Sequence, residues 1–293
     1  MNRQFFRYIT PALIGALLSP LPAQAQDAPA HFHAVKIVLV GDSTTAVHSG
    51  WGSSFCGFHL TSFAACINLA RGGRSSGNYR SEGSWALALD EMRQQGFDKT
   101  YVLIQFGHND QPGKPGRSTD LATEFPANMA RYVAEARAAG AIPVLVTPLT
   151  RRQFRSGQIE GDLAPWAEAL RKVAARTQTP LVDLYAHSQA AVQAMGPVAA
   201  MRLAQMPPSP AVLDAARDTG TTIPAHSGLP MVASTGPSST PPAQNNAATE
   251  PMGQAKLAFD YTHLGREGAD YFAAMVAHDL AEAVPDLSHY LIP

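Results

Sequence analysis

The chain has 293 residues, 45% hydrophobic and 15% charged, an ordinary globular composition with apolar material enough for a full core. The length suits one domain with additions rather than two large ones. A net charge of -1 gives no sign of the basic surface that phosphate-backbone tracking requires, so nucleic acid is not an expected partner; an acidic sugar polymer stays open, since a local arginine cluster suffices to hold one.

Residues 1–25 read as a signal peptide. Arg3 and Arg7 make a positive start, residues 9–18 form a short apolar run broken by Pro11, and Ala23-Gln24-Ala25 fits the small-x-small cleavage pattern. A spanning helix needs roughly 20 apolar residues, and no cysteine follows to carry a lipid. The mature chain is therefore expected to start near Gln26, to be periplasmic or secreted and free of the membrane, and to form a single domain over 26–293. In such a compartment Cys56 and Cys66, the only two cysteines, are expected to form a disulfide; two buried thiols are the alternative.

Apolar runs then alternate with helical patterns. Strands are expected at 36–40, 66–69, 101–106, 142–147 and 181–184, the first and third being short, two-sided apolar runs suited to a buried parallel sheet. Amphipathic helices are expected at 84–95, ended by Gly96; around Phe125, Met129, Tyr132, Val133 and Ala136, ended by Gly140; at 164–175; and around Phe272, Met275, Val276 and Leu280. Such repetition implies a three-layer α/β/α sandwich on a parallel five-stranded sheet. Residues 196–251 break the pattern with ten prolines. An insertion at about 196–256 is expected, a partly disordered surface loop with a short helix near 195–206. A flap is the functional alternative, because the segment leads into Asp260.

Polar clusters sit where strands end: Gly41-Asp42-Ser43-Thr44, Gly72-Gly73-Arg74-Ser75 and Gly107-His108-Asn109-Asp110. A fourth, Asp260-Tyr261-Thr262-His263, precedes the last helix. In a parallel sheet the three strand ends share one edge, where ligands bind. Ester cleavage needs an activated hydroxyl, a base held in one tautomer by a carboxylate, and donors aimed at the developing oxyanion. Ser43, His263 and Asp260 supply the first three; the N–H groups of Ser43 and Gly73 and the Asn109 amide supply the donors. Alone, each motif reads as a turn or a helix cap. Their co-occurrence, in this order, carries the reading.

The four segments resemble the Ser, Gly, Asn and His blocks of the SGNH, or GDSL-like, hydrolase superfamily. Gly73-Arg74-Ser75 and the histidine of Gly107-His108-Asn109-Asp110 resemble its rhamnogalacturonan acetylesterase-like branch more narrowly. The resemblance spans roughly 36–184 and 257–284, not the Pro-rich segment. It implies a flavodoxin-like sheet, Ser43 as nucleophile, His263 as base, Asp260 as its orienter, and an oxyanion hole of Ser43, Gly73 and Asn109. It also implies an acetylated pectin-type polysaccharide or oligosaccharide as substrate. The expected function is a secreted carbohydrate O-acetylesterase that needs no cofactor or metal.

Competing readings sit in the same residues. Gly73-Arg74-Ser75-Ser76-Gly77 matches the nucleophile elbow of α/β-hydrolases, but its preceding strand is weak and residues 78–83 make a poor helix start. No zinc-spaced histidine or cysteine motif occurs. A general or lipolytic short-chain esterase, or a polysaccharide-binding protein without catalysis, shares the fold expectation. For substrate contacts, Arg74, Arg151 and Arg152 are expected to meet uronate carboxylates, with Arg80 and Arg155 as further candidates; a solvated basic loop is the alternative. Trp51 and Trp85 fit either core packing or sugar stacking.

Overall fold

The computed structural model describes residues 33–225 and 257–293; the expected signal segment and the later part of the Pro-rich insertion lie outside them. The central sheet is built from β1 (Val35–Gly41), β2 (Ala64–Asn68), β3 (Lys99–Gln105), β4 (Ile142–Val146) and β7 (Leu181–Val182). They run parallel in the order β2-β1-β3-β4-β7. A two-stranded antiparallel hairpin, β5 (Phe154–Arg155) with β6 (Gln158–Ile159), stands apart; the sequence reading has it as loop.

Strand alternation divides the core. Ile37 and Leu39 of β1 face a layer holding Trp51, Phe55 of α1 (Gly52–Phe58), Val192 of α6 (Leu184–Ala199) and Phe272, Val276 and Leu280 of α8 (Arg266–Ala283). Val38 and Val40 face the other layer. There Tyr79 of α2 (Asn78–Ser81) and Trp85 of α3 (Ser84–Arg93) meet Met129 and Tyr132 of α4 (Glu124–Ala138) and Leu170 of α5 (Ala164–Thr177). Burial of both faces is why the middles of β1, β3 and β4 are apolar on successive residues. Trp51 and Trp85 are thereby core residues.

The strand order reverses direction between β1 and β3, and such switch points open a crevice at the carboxyl ends of the strands. Cys56 on α1 and Cys66 on β2 form a disulfide, which fastens α1 to the sheet edge.

The structure describes the first part of the insertion, where the helix expected near 195–206 is found in two pieces. Residues 184–199 are α6, with Gly196 at φ 76° marking a kink before Pro197. A 3-10 turn (Ala200–Leu203) and α7 (Pro210–Thr219) follow. The start of α7 carries ordinary signals: the Ser209 hydroxyl accepts from Val212 N–H and Pro210 takes the first helical position. The first half of the proline-rich segment is thus helical. Among the described residues no helix is long and apolar enough to cross a membrane.

Candidate active site

Ser43 stands in a tight turn after β1. The carbonyl of Asp42 accepts from the N–H groups of Thr45 (3.2 Å) and Ala46 (3.0 Å). Asp42 Oδ1 accepts from Thr44 N–H and Thr44 Oγ1, both at 2.8 Å. Gln105 at the end of β3 holds this turn from the next strand. Its Oε1 accepts from Thr44 Oγ1 (3.2 Å), Thr45 Oγ1 and Trp51 Nε1 (3.1 Å), and its Nε2 donates to Thr147 O (3.0 Å). Gly41 is obligatory here: a Cβ would lie 2.8 Å from the Gln105 carbonyl. The Ser43 side chain is left partly open to solvent while Asp42, Thr44 and Thr45 are buried.

The segment before α8 meets this turn. His263 Nε2 lies 3.0 Å from Ser43 Oγ, and His263 Nδ1 lies 2.6 Å from Asp260 Oδ2. Asp260 Oδ1 accepts from the N–H groups of Thr262 and His263, each at 2.7 Å. Burial pushes the Asp260 carboxyl up, but the hydrogen bond from His263, electrostatic attraction to that ring and the two backbone donors outweigh it and hold the group at about 2. Asp260 is therefore an anion at neutral pH, and an Nδ1–H facing it leaves Nε2 as the acceptor for a serine proton. The structure brings Ser43, His263 and Asp260 together in the arrangement that acyl transfer uses.

Gly73 and Asn109 complete the edge. Gly73 has φ 75°, in the left-handed region that glycine reaches without a Cβ penalty. Asn109 Nδ2 donates to Arg74 O at 3.0 Å. An amide carries two such hydrogens, so one remains. Behind the turns, two buried side chains approach each other, His108 Nδ1 and Asp42 Oδ2 lying 3.5 Å apart. This contact joins the residue before Ser43 to the residue before Asn109. Burial raises the Asp42 carboxyl, but His108 and the Thr44 donors reverse this and leave it below its ordinary value.

Two expected substrate contacts, Arg74 and Arg152, are corrected by their burial. Arg74 is buried, donating from Nε to both Glu82 oxygens (3.0 and 3.2 Å) and from Nη1 to Gly72 O (2.6 Å); it braces the turn that carries Gly73. Arg152 is buried beneath the Asp260–His263 segment and donates to the carbonyls of Thr262 (3.3 Å), Asp260 (3.1 Å) and His263 (2.8 Å). It shapes that segment and cannot reach a polymer. Arg151 stays near the surface but bonds Asp162 and, at 2.9 Å, Gln111 Oε1. Arg80 pairs with Glu135 at 2.9 Å, and exposed Arg155 with Glu160.

Ser75, the elbow candidate, is fully buried, with its hydroxyl donating to Asn78 Oδ1 at 3.0 Å. Nothing about that environment activates a nucleophile. Sequence reasoning missed Gln105, the Asp42–His108 pair and Asp110. Asp110 accepts from Ser76 N–H, Ser76 Oγ (2.6 Å) and Thr119 Oγ1 (2.8 Å). Gln105 alone left a signal, an amide closing an apolar strand. Among the described residues His278, Asp279 and Glu282 could jointly hold a cation, but they sit near the end of α8 remote from His263, about 20 Å along the helix at 1.5 Å per residue.

A family model described as the GDSL-like lipase/acylhydrolase family matches residues 39–200. Two Bacillus subtilis proteins are similar in sequence. The probable rhamnogalacturonan acetylesterase YesY is 35% identical over 161 residues, covering 53% of this chain and 72% of that protein. The rhamnogalacturonan acetylesterase RhgT is 36% identical over 177 residues, covering 58% and 73%. In fold, the chain resembles the crystal structure of the Bacillus subtilis protein YXIM, with a TM-score of 0.58 at 21% identity. That likeness covers 85% of this chain and 56% of YXIM, so the chain spans little more than half of that protein. The match over 39–200, together with the geometry at the sheet edge, is decisive: the chain belongs to the GDSL-like lipase/acylhydrolase family of carboxylic ester hydrolases.

Proposed function

We propose that the chain removes acetyl groups from a pectin-type polysaccharide, rhamnogalacturonan or a chemically similar polymer, outside the cytoplasm. The observation that carries the chemistry is the continuous chain from Ser43 Oγ through His263 to Asp260, at 3.0 and 2.6 Å. His263 Nε2 takes the Ser43 proton as Oγ attacks the acetyl carbonyl. The tetrahedral oxyanion is met by the N–H groups of Ser43 and Gly73 and the free Asn109 amide hydrogen. His263 then gives the proton to the departing sugar oxygen, leaving acetyl-Ser43 and a free hydroxyl. Water, deprotonated by His263, attacks the acetyl group; Ser43 regains its proton and acetate leaves. Asp260 stays ionised throughout and stabilises the imidazolium.

The substrate class is supported by the two relatives that carry rhamnogalacturonan acetylesterase names. Export is supported by the signal-peptide pattern of residues 1–25 and by the Cys56–Cys66 disulfide, which belongs in an oxidising compartment. The test is acetate release from acetylated rhamnogalacturonan, measured beside acetylated xylan and aryl esters of rising acyl length. Fast release from the pectic polymer and a steep fall beyond acetyl are expected. Turnover of longer acyl esters in preference to the polymer would replace this reading with a general short-chain esterase.

A further inference from the structure

The loop between β3 and α4 carries two cations that the chemistry above does not use. It is clamped at its base, where Thr119 N–H donates to Asp110 O (2.9 Å) and Thr119 Oγ1 to Asp110 Oδ1 (2.8 Å). Ser118 Oγ ties it internally, accepting from Lys114 N–H (2.9 Å) and donating to Gln111 O (2.8 Å). Between Asp110 and Thr119 most residues are exposed, yet Lys114 and Arg117 are half-buried. Long cationic side chains on an exposed loop ordinarily extend into water. Here both are drawn in, and Arg117 folds over the turn that carries Gly73, its Nη1 donating to Gly73 O at 3.4 Å.

A third cation closes the group. Arg151 reaches the base of the same loop through Gln111 Oε1 at 2.9 Å. Arg151 has Asp162 as counter-ion, whereas among the described residues neither Lys114 nor Arg117 has a carboxylate in ion-pair range. Like charges drawn together and half-desolvated without matching anions repel one another, and a bound anion removes that repulsion. The strain registers on Lys114, whose pKa is lowered by burial, then by Arg151 and Arg117, against the opposing pull of Asp42 and Asp162.

We propose that Lys114 and Arg117, backed by Arg151, form an anion subsite beside Gly73 that takes a uronate carboxylate of the sugar chain whose acetyl group lies at Ser43. The proposal rests on the acidic-polysaccharide reading above and adds the residues that select it. Arg117 supplies a planar fork for the carboxylate and Lys114 a point charge.

The experiment is a calorimetric titration of the intact protein at low salt with unacetylated trigalacturonate and with its uncharged methyl ester. Wild type should bind the acid at least ~10-fold more tightly than the Lys114→Gln/Arg117→Gln variant, and the methyl ester should bind both proteins equally weakly. Lys114→Arg/Arg117→Lys, which keeps both charges, should bind the acid more tightly than the Gln variant, which separates lost charge from lost folding. No measurable binding of the acid to wild type, equal binding by wild type and the Gln variant, or equal binding of acid and ester would each overturn the subsite. Acetate release on acetylated rhamnogalacturonan is scored separately. Trigalacturonate binding without release discards the substrate reading and keeps the subsite; release with no effect of charge on binding does the reverse.

Discussion

Asn109 commits one amide hydrogen to the Arg74 carbonyl, which fixes where the other points. A donor fixed before reaction needs no reorganisation as the oxyanion forms. Asn109→Ala is therefore expected to lower kcat by roughly 10²–10³ while leaving KM for a small acetyl ester nearly unchanged. Steady-state kinetics on an aryl acetate checks this, and a change confined to KM would remove Asn109 from the oxyanion hole. Ser43, Asp260 and His263, which meet in the structure, were legible in the sequence, as were the blocks that hold Gly73 and Asn109. Chemistry restricts their residue types, and each lies in a short polar block beside a strand or helix end. Arg152 was misread for the opposite reason. A basic residue in a loop suggests solvent or substrate, and its true partners, at Asp260, Thr262 and His263, lie more than 100 residues away. No local pattern reports such a contact. The Asp42–His108 pair was hidden likewise: both residues are written in the sequence motifs, but their meeting depends on β1 lying beside β3.

At the scale of elements, the Asp260–His263 segment has no strand or helix of its own and is shaped by its neighbours. Arg152 holds its carbonyls from below. Leu264 N–H donates to Ser49 O, and Gly265 N–H to Leu203 O, both at 2.9 Å. Tyr261 packs with Met201, Val212 and Ala216 and donates its hydroxyl to Ile223 O at 2.7 Å. The first half of the proline-rich insertion thus buttresses the histidine. Composition concealed this, because prolines at helix starts and at a kink raise the count without preventing helices. Replacing Arg152 by Leu removes the donors to these three carbonyls, and a buried acceptor left unsatisfied costs roughly 1–3 kcal/mol. Arg152→Leu is expected to lower the thermal midpoint and kcat together. Arg152→Lys should recover little, since one ammonium on a different stem does not reproduce the planar fork. Chemical denaturation and kinetics on the same samples check both. Wild-type kcat in a destabilised Arg152→Leu protein would confine the arginine to stability.

At the scale of the molecule, the parallel sheet was legible because its strands are apolar on both faces, and the layer order followed from alternation. The β5–β6 hairpin was not, being two residues per strand. The fold also sets two opposed pH dependences. Burial pushes Asp110 up to about 6 despite its donors from Ser76 and Thr119, with Asp42 adding to the rise. Its contribution to stability is therefore complete below an ordinary aspartate value of about 4 and is lost as pH rises through about 6. Asp260, held at about 2, contributes stability above its ordinary value, and this is lost as pH falls toward 2. The thermal midpoint of Asp110→Asn, relative to wild type, should accordingly improve as pH rises from about 4 to about 7. A difference that does not vary with pH would mean Asp110 titrates as it does in the unfolded chain.

The central claim is that Ser43, paired with His263, forms the acyl-enzyme. It is tested most directly by treating the protein with an organophosphonate ester and mapping the modified peptide by mass spectrometry, in wild type and in His263→Ala. One phosphonyl group on Ser43, with matching loss of esterase activity and little labelling in His263→Ala, is the predicted result. Labelling of Ser75 instead, or full activity after Ser43 is modified, would contradict the account.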